Sequence, residues 1–505
     1  MKKYLFKTTL CAVLLFFGNA CTNNFEDINK DPALVNADNL KPEMLLTWTL
    51  KNSIFDYFGP NTPWAVKEFS GYMSYEETGD LFLPCDCSNP FSYYRSYIVN
   101  MNELIKLVSG NPLKSNQVAI ARIWNAFLYQ IMTDAYGDIP YSEAAKDRYS
   151  VINQPKYESQ QSIYQNLLKE LKEASAALSD SPDQISFGNP DILFKGKVDS
   201  WRRFANSLRL RMALRIHYAD PVLAKQHIQE AIALPLIENN TQNAILKTLP
   251  PGGTTPAANV NPVYTRGQAA GNPIRFGFPL SEVMLARKDP RLPIYATPAT
   301  DTASAFKGRP IQLDGVAQRG YYSRTNTAEI GPLLKAEIAD IVVMSSSEVY
   351  LIRAEAAMAG LSTENAEAMY QKGIELSMAQ VGIAAAAPNY IKSAPVILSG
   401  TTEQKMEQIA TQKYIALYPN VFEAWNEWRR TGYPRIWVGA MQGSTGGKIP
   451  RRMTYPIDEF SKNEANLREA IKGLSGGDEL VSKVWWDKKP GLPYVHPKQG
   501  VFPPM

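Results

Sequence analysis

Apolar residues recur along most of this chain in steps of three and four, the period of a helix with one buried face. Gln117–Gly137 (QVAIARIWNAFLYQIMTDAYG) predicts a long helix stopped by its glycine. Gln161–Leu178 predicts a second, with Ile163, Leu167, Leu168, Leu171, Ala174 and Leu178 in register. Trp201, Phe204, Ala205, Leu208, Met212 and Ile216 make the stripe of a third, with Asp199 and Ser200 as candidate N-caps. Arg202, Arg203, Arg209 and Arg211 flank that stripe and read as a solvated face with core pairs. Arg215 lies within the stripe and must reach out or find a partner. Ser345–Gly382 predicts two helices with a short connection. Capping residues stand at Ser345–Glu348 and Ser362–Glu364, and Ala354, Ala356, Ala357 and Gly360 allow close approach. This is the build of a tetratricopeptide-like pair. Thr401–Pro434 predicts two further helices broken at Pro419, with Val421, Trp425 and Trp428 on one face. Lys413 shares a stripe with Ile409, Ala410 and Leu417, so it calls for a buried acidic partner; an unpaired charge there would cost roughly several kcal/mol. The expected fold class is mainly α: imperfect tetratricopeptide-like helical repeats, without an even period, carrying long irregular loops.

Two segments break the helical pattern. Pro60–Pro90 mixes proline, asparagine, glycine and aromatics, and Pro250–Pro279 is rich in Gly, Pro, Asn and Thr. Connections this long are usually functional or disordered.

The first residues change the picture of where the protein works. Lys2, Lys3 and Lys7 precede the apolar run Leu10–Phe17, and Gly18-Asn19-Ala20 leads into Cys21. This is the three-part build of an export signal. Its apolar core is shorter than the roughly 20 residues a membrane-crossing helix needs. The expected reading is a lipoprotein signal over 1–20 with lipid attached at Cys21, although Gly18 stands where such signals usually carry leucine. A plain secretory signal cut after Ala20 is the alternative. The remainder, 21–505, is expected to form a single helical domain with variable loops near 60–90 and 250–279.

Charge and chemistry narrow the function mostly by exclusion. The net charge of +4 falls to about +1 once the three signal lysines are gone, which argues against a nucleic-acid surface. Cys85 and Cys87 lie one residue apart, but with three histidines in the chain they lack the ligands of a structural zinc site. They read as loop thiols or a strained local disulfide. Gly443–Pro450 (GSTGGKIP) misses the phosphate-loop spacing and puts Ile449 where the metal-binding hydroxyl belongs. Neither a zinc-protease nor a nucleophile-elbow motif occurs. No catalytic residue, metal or cofactor is expected.

Several stretches, taken together and in order, resemble one family: the SusD/RagB outer-membrane lipoproteins. They are CTNNFEDINKDP (21–32), TDAYGDIPYSEA (133–144), PKYESQQSIYQNLLKEL (155–171), WRRFANSLRLRMALRI (201–216), KDPRLPIYATP (288–298), SSSEVYLIRAEAA (345–357), ATQKYIALYPNVFEAWNEWRRTGYP (410–434), IPRRMTYPIDEFSKNEAN (449–466) and KVWWD (483–487). The resemblance implies a helical fold with tetratricopeptide-like units and no catalysis. It further implies a surface lipoprotein of the outer membrane that captures oligosaccharide, or in some members peptide, for a SusC-like TonB-dependent transporter.

Ligand contacts are then expected from the variable loops rather than from the helical motifs. In EAWNEWRR, Glu423, Glu427, Arg429 and Arg430 read as internal ion pairs among packed aromatics. Sugars offer apolar C–H faces to aromatic rings and hydroxyls to amides and guanidiniums. Trp64 is the tryptophan least explained by helix packing, and Phe69, Tyr72 and Tyr75 follow it. Tyr264, Arg266, Asn272, Arg275 and Phe276 form a second candidate set. The competing reading makes the first set a cover over the core. Two other functions stay open at this point: a secreted glycan-cleaving enzyme, and a helical-repeat scaffold that binds proteins only.

Overall fold

The computed structural model describes residues 40–58, 68–74, 90–146, 152–251, 259–267, 274–301, 305–440 and 445–504, with only the backbone of 90 and 265–267. Cys21, Trp64, Tyr75, Asn272, Cys85 and Cys87 lie outside these residues, as does the side chain of Arg266.

Six helices follow one another through the first half: α1 (Pro42–Phe58), α2 (Val99–Val108), α3 (Ser115–Tyr136), α4 (Gln160–Ala177), α5 (Val198–Arg215) and α6 (Pro221–Ile232). Each packs on the next, as in a helical repeat. After α7 (Phe278–Ala286), the second half adds α8 (Ser346–Met358), α9 (Ala366–Gln380), α10 (Thr402–Leu417), α11 (Val421–Thr431) and α12 (Glu464–Lys472). Helix α8 joins the halves, packing on α9, α10 and α5. The expected mainly α architecture is the observed one. Helix α3 ends where its glycine predicts: Gly137 has φ +93°, and its N–H donates to Thr133 O at 2.8 Å.

Strands are short and serve as clasps. An antiparallel sheet of order β1-β5-β7-β6 joins Met73–Ser74, Arg275–Phe276, Glu329–Ile330 and Ala296–Thr297. A Cβ at Gly277 would meet Gly71 O at 1.9 Å, so only glycine lets β5 close on the turn before β1. Elsewhere β2 (Ile139–Pro140) pairs with β3 (Tyr157–Glu158), and β4 (Ala244–Lys247) with β8 (Asp340–Met344).

Two expected caps are corrected. Helix α5 begins at Val198, before Asp199 and Ser200, and Asp199 instead accepts from Arg203 Nε at 2.7 Å. The turn ahead of α5 is organised by buried Asp191, which accepts from the N–H groups of Leu193, Phe194 and Gly196 and from Trp201 Nε1 at 2.7 Å. Helix α9 is capped by Asn365, which accepts from Ala368 N, while Glu364 pairs with Arg353. Ser345 caps α8 as expected, accepting from Glu348 N.

Arg209 and Arg211 of α5 depart furthest from expectation, while Arg215 finds the partners its place in the stripe calls for. Arg209, Arg211 and Arg215 are all buried, because α8 and α11 supply carboxylates to meet the latter two. Arg211 forks onto Glu348 at 2.6 and 2.7 Å. Arg215 reaches Asp134 at 2.6 Å and also contacts Glu423. Lys413 has the acidic partners its position calls for, Glu355 at 2.8 Å and Glu427 at 2.5 Å. Arg430 bridges the same two carboxylates. Burial alone would raise Glu355, but Arg430 and Lys413 outweigh it and hold the carboxyl down at about 2. A further segment closes this region: Trp486 Nε1 donates to Asp134 Oδ1 at 2.9 Å, and Asp487 forks onto Arg451.

At the α5–α6 contact, Arg209 Nε donates to His227 Nδ1 at 2.8 Å, so that nitrogen must stay unprotonated. Burial, and then the Arg209 charge, lower His227 to about 4. The unfolded chain therefore binds this proton first, and the contribution is complete above about pH 6.5 and declines as pH falls towards 4. Replacing His227 with glutamine keeps an acceptor without the titration. The stability advantage of wild type over His227→Gln is expected to shrink between pH 7 and 4 in denaturant titrations.

Candidate functional site

The structure separates the loop aromatics that the sequence groups together. Phe69 and Tyr72 are 1% and 0% exposed and belong to the main core. Phe69 packs on Trp425 with ring centroids 5.6 Å apart, and Tyr72 packs on Tyr414 at 4.6 Å. Phe276 is equally buried, against Tyr418 at 5.9 Å. Arg275 donates to the carbonyls of Arg324 and Thr327 and pairs with Glu329. All four sit on or beside β1 and β5, where sheet pairing turns them into the core; for Phe69 and Tyr72 this is the competing reading, a cover over the core. Tyr264 remains half-buried on the short helix Pro262–Gly267.

A cavity of about 390 Å³ opens beside that helix. Among the described residues its walls include Phe58, Met73, Asn261, Val263, Tyr418 and Val421. Phe58 ends α1 just before residue 59, Met73 stands in the strand before residue 75, and Asn261 follows residue 258. The cavity therefore lies at the foot of both long segments that break the helical pattern. Its size and largely apolar lining suit a small-molecule site.

The polar wall is set by amides from three distant segments. Asn261 Nδ2 donates to Leu334 O and Ala336 O at 3.1 and 2.8 Å, and its Oδ1 accepts from Val263 N. Asn243 accepts from Ser346 N and donates to Gln380 Oε1 at 3.2 Å. These bonds fix the wall and leave the Gln380 amide nitrogen as a donor. Nothing local in the sequence marks these residues, apart from the Asn261–Pro262 turn signal; the β4–β8 pairing and the end of α9 bring them together. Ile338, 53% exposed, forms an apolar rim.

Among the described residues no group of three or more His, Cys, Asp and Glu side chains could hold a metal ion. The cavity wall offers rings, aliphatic surface, amides and the Asp340 carboxylate, a set suited to a polar ligand with apolar faces.

Comparison with known proteins places this geometry. Residues 63–456 match the family model described as "SusD-like_2: Starch-binding associating with outer membrane". No curated protein sequence matches the chain. Among solved structures, a chitin-binding protein is 29% identical, with a TM-score of 0.78 over 89% of this chain and 100% of its own. A SusD homologue from Bacteroides ovatus is 26% identical, with a TM-score of 0.73 over 89% and 99%. A chitin-binding SusD homologue from Flavobacterium johnsoniae is similar in fold, at 24% identity and a TM-score of 0.74 over 88% and 97%.

Proposed function

The chain belongs to the SusD-like family of outer-membrane-associated binding proteins, and from that premise we propose that it captures oligosaccharides at the cell surface and passes them to a SusC-like TonB-dependent transporter. The family binds without catalysing, so the glycan-cleaving alternative falls away. The observation that carries the reading is the cavity at the foot of the two long loop segments, on a chain whose fold matches a chitin-binding protein over 89% of its length. That likeness favours β-linked N-acetylglucosamine chains as the ligand class over peptides. The acetamido groups suit amide partners such as Gln380, and the sugar faces suit aromatic rings from the loops.

Calorimetric titration of the mature chain with chitin oligosaccharides, against maltotriose and a mixed tripeptide, tests the class. Saturable heat with the first and none with the others supports it; the reverse order sinks it. Trp64→Ala is expected to weaken binding about tenfold or more, the scale of a truncated hot spot of roughly 2 kcal/mol. Trp64→Phe should recover part of the loss, since a ring remains. Unchanged affinity in Trp64→Ala moves the contact to the second candidate set, Tyr264, Arg266 and Asn272. A collapsed melt returns Trp64 to the core.

The lipid anchor is the other half of the reading. Cys21 follows a short export signal, and two or more acyl chains at about 0.8 kcal/mol per buried CH₂ hold a protein stably on a membrane. Cys21→Ala is expected to release the protein from the membrane fraction in cells lacking the transporter. Wild-type fractionation of that variant would contradict lipid attachment there.

A further inference from the structure

A second opening, of about 530 Å³, lies where α2, α3 and α4 part, and it shares no lining residue with the first. Its floor is an amide relay. Asn102 Nδ2 donates to Ala145 O at 2.8 Å, and Asn125 Nδ2 donates to Asn102 Oδ1 at 2.9 Å. The Ala145 carbonyl fixes the direction of both amides, because turning either would set oxygen against oxygen. Asn125 Oδ1 is thereby left buried with no hydrogen-bond partner among the described residues. A buried acceptor in that state calls for a donor from outside.

The walls add the complementary groups. Arg122 forks onto Glu170 at 2.5 and 2.9 Å through Nε and Nη2, which leaves Nη1 as a donor and the remaining Glu170 lone pairs as acceptors. Tyr141 stands edge-to-face on Tyr129 with centroids 4.7 Å apart, and its hydroxyl has no partner among the described residues. The wall also carries Lys106 and Lys146. An apolar ligand would strand the amides, whereas an aromatic ring flanked by planar donors and acceptors of both kinds suits a hydroxyl-rich ring.

We propose that this groove between α2, α3 and α4 is a second saccharide site, in which Tyr141 carries a sugar face while Asn125, Arg122 and Glu170 take its hydroxyls. The ligand class rests on the function proposed above; the site does not depend on the loops.

The test is calorimetric titration of the mature chain with triacetylchitotriose. Two equivalents are expected, and both Tyr141→Ala and Asn125→Leu are expected to weaken one of them at least tenfold with unchanged melts. Tyr141→Phe, which keeps the ring and is the milder change, is expected to retain most of that binding. One equivalent that ignores Tyr141→Ala and disappears in Trp64→Ala overturns the groove and keeps the loop site. Binding that disappears in Tyr141→Ala and ignores Trp64→Ala keeps the groove and overturns the loop site. A wild-type chain that takes up no trisaccharide overturns both.

Discussion

Trp425→Ala is expected to remove about 3–5 kcal/mol of folding stability, the usual cost of truncating a fully buried tryptophan. The ring has no exposure and stands between Phe69 and Phe422, at 5.6 and 5.7 Å. It also covers the Arg429 guanidinium, whose carbon lies 3.7 Å from the ring centroid, and its Nε1 donates to Pro450 O at 2.8 Å. Truncation thus opens a cavity, uncovers a buried cation and strands a carbonyl. Trp425→Phe keeps most of the apolar contact and is expected to lose much less. Denaturant titration of the two variants checks the order. An unchanged midpoint in Trp425→Ala together with lost sugar binding would make this residue a ligand contact instead.

The second large effect concerns charge. Arg215→Met is expected to cost about 3–5 kcal/mol, because it takes the nearest counter-ion from two buried carboxylates and puts no charge in its place. Asp134 and Glu423 are the groups stranded, each essentially unexposed. Burial already raises Glu423 against the opposing pull of Arg215 and Arg211, so losing Arg215 raises it further. A carboxyl raised in the folded state contributes stability that is complete below its unfolded pKa and is lost as pH rises. The deficit of Arg215→Met relative to wild type is therefore expected to be smaller near pH 4 than at pH 7. A deficit that does not change with pH would mean that lost packing, not stranded charge, is the cause.

How far the sequence could be read follows from the distance over which each signal acts. Helices α3, α4, α10 and α11 were legible because a stripe and its stop lie within one turn of each other. So was Lys413, since a lysine inside an apolar stripe has few stable outcomes. Asp199 misled as a cap because its partner, Arg203, lies one turn further into the helix. Arg211 misled for a different reason: its carboxylate arrives from Glu348, more than a hundred residues away, and nothing local separates a paired buried arginine from a solvated one. Phe69, Tyr72 and Phe276 show the same limit. An aromatic in a glycine-rich stretch looks free until a two-residue strand pairs it into the core. The cavity wall was the least legible feature, since Asn243, Asn261 and Gln380 meet only through tertiary structure.

Asp134 and Trp486 are 352 positions apart in the chain, yet they share one hydrogen bond at its centre. A ribosome adds residues 484–487 long after every helix from α1 to α11 has been made. Until then Asp134 lacks its indole donor, Arg451 lacks its carboxylate, and the main core lacks Val484 and Trp486. A nascent chain short of residue 484 is thus an arch without its keystone, open and easily threaded.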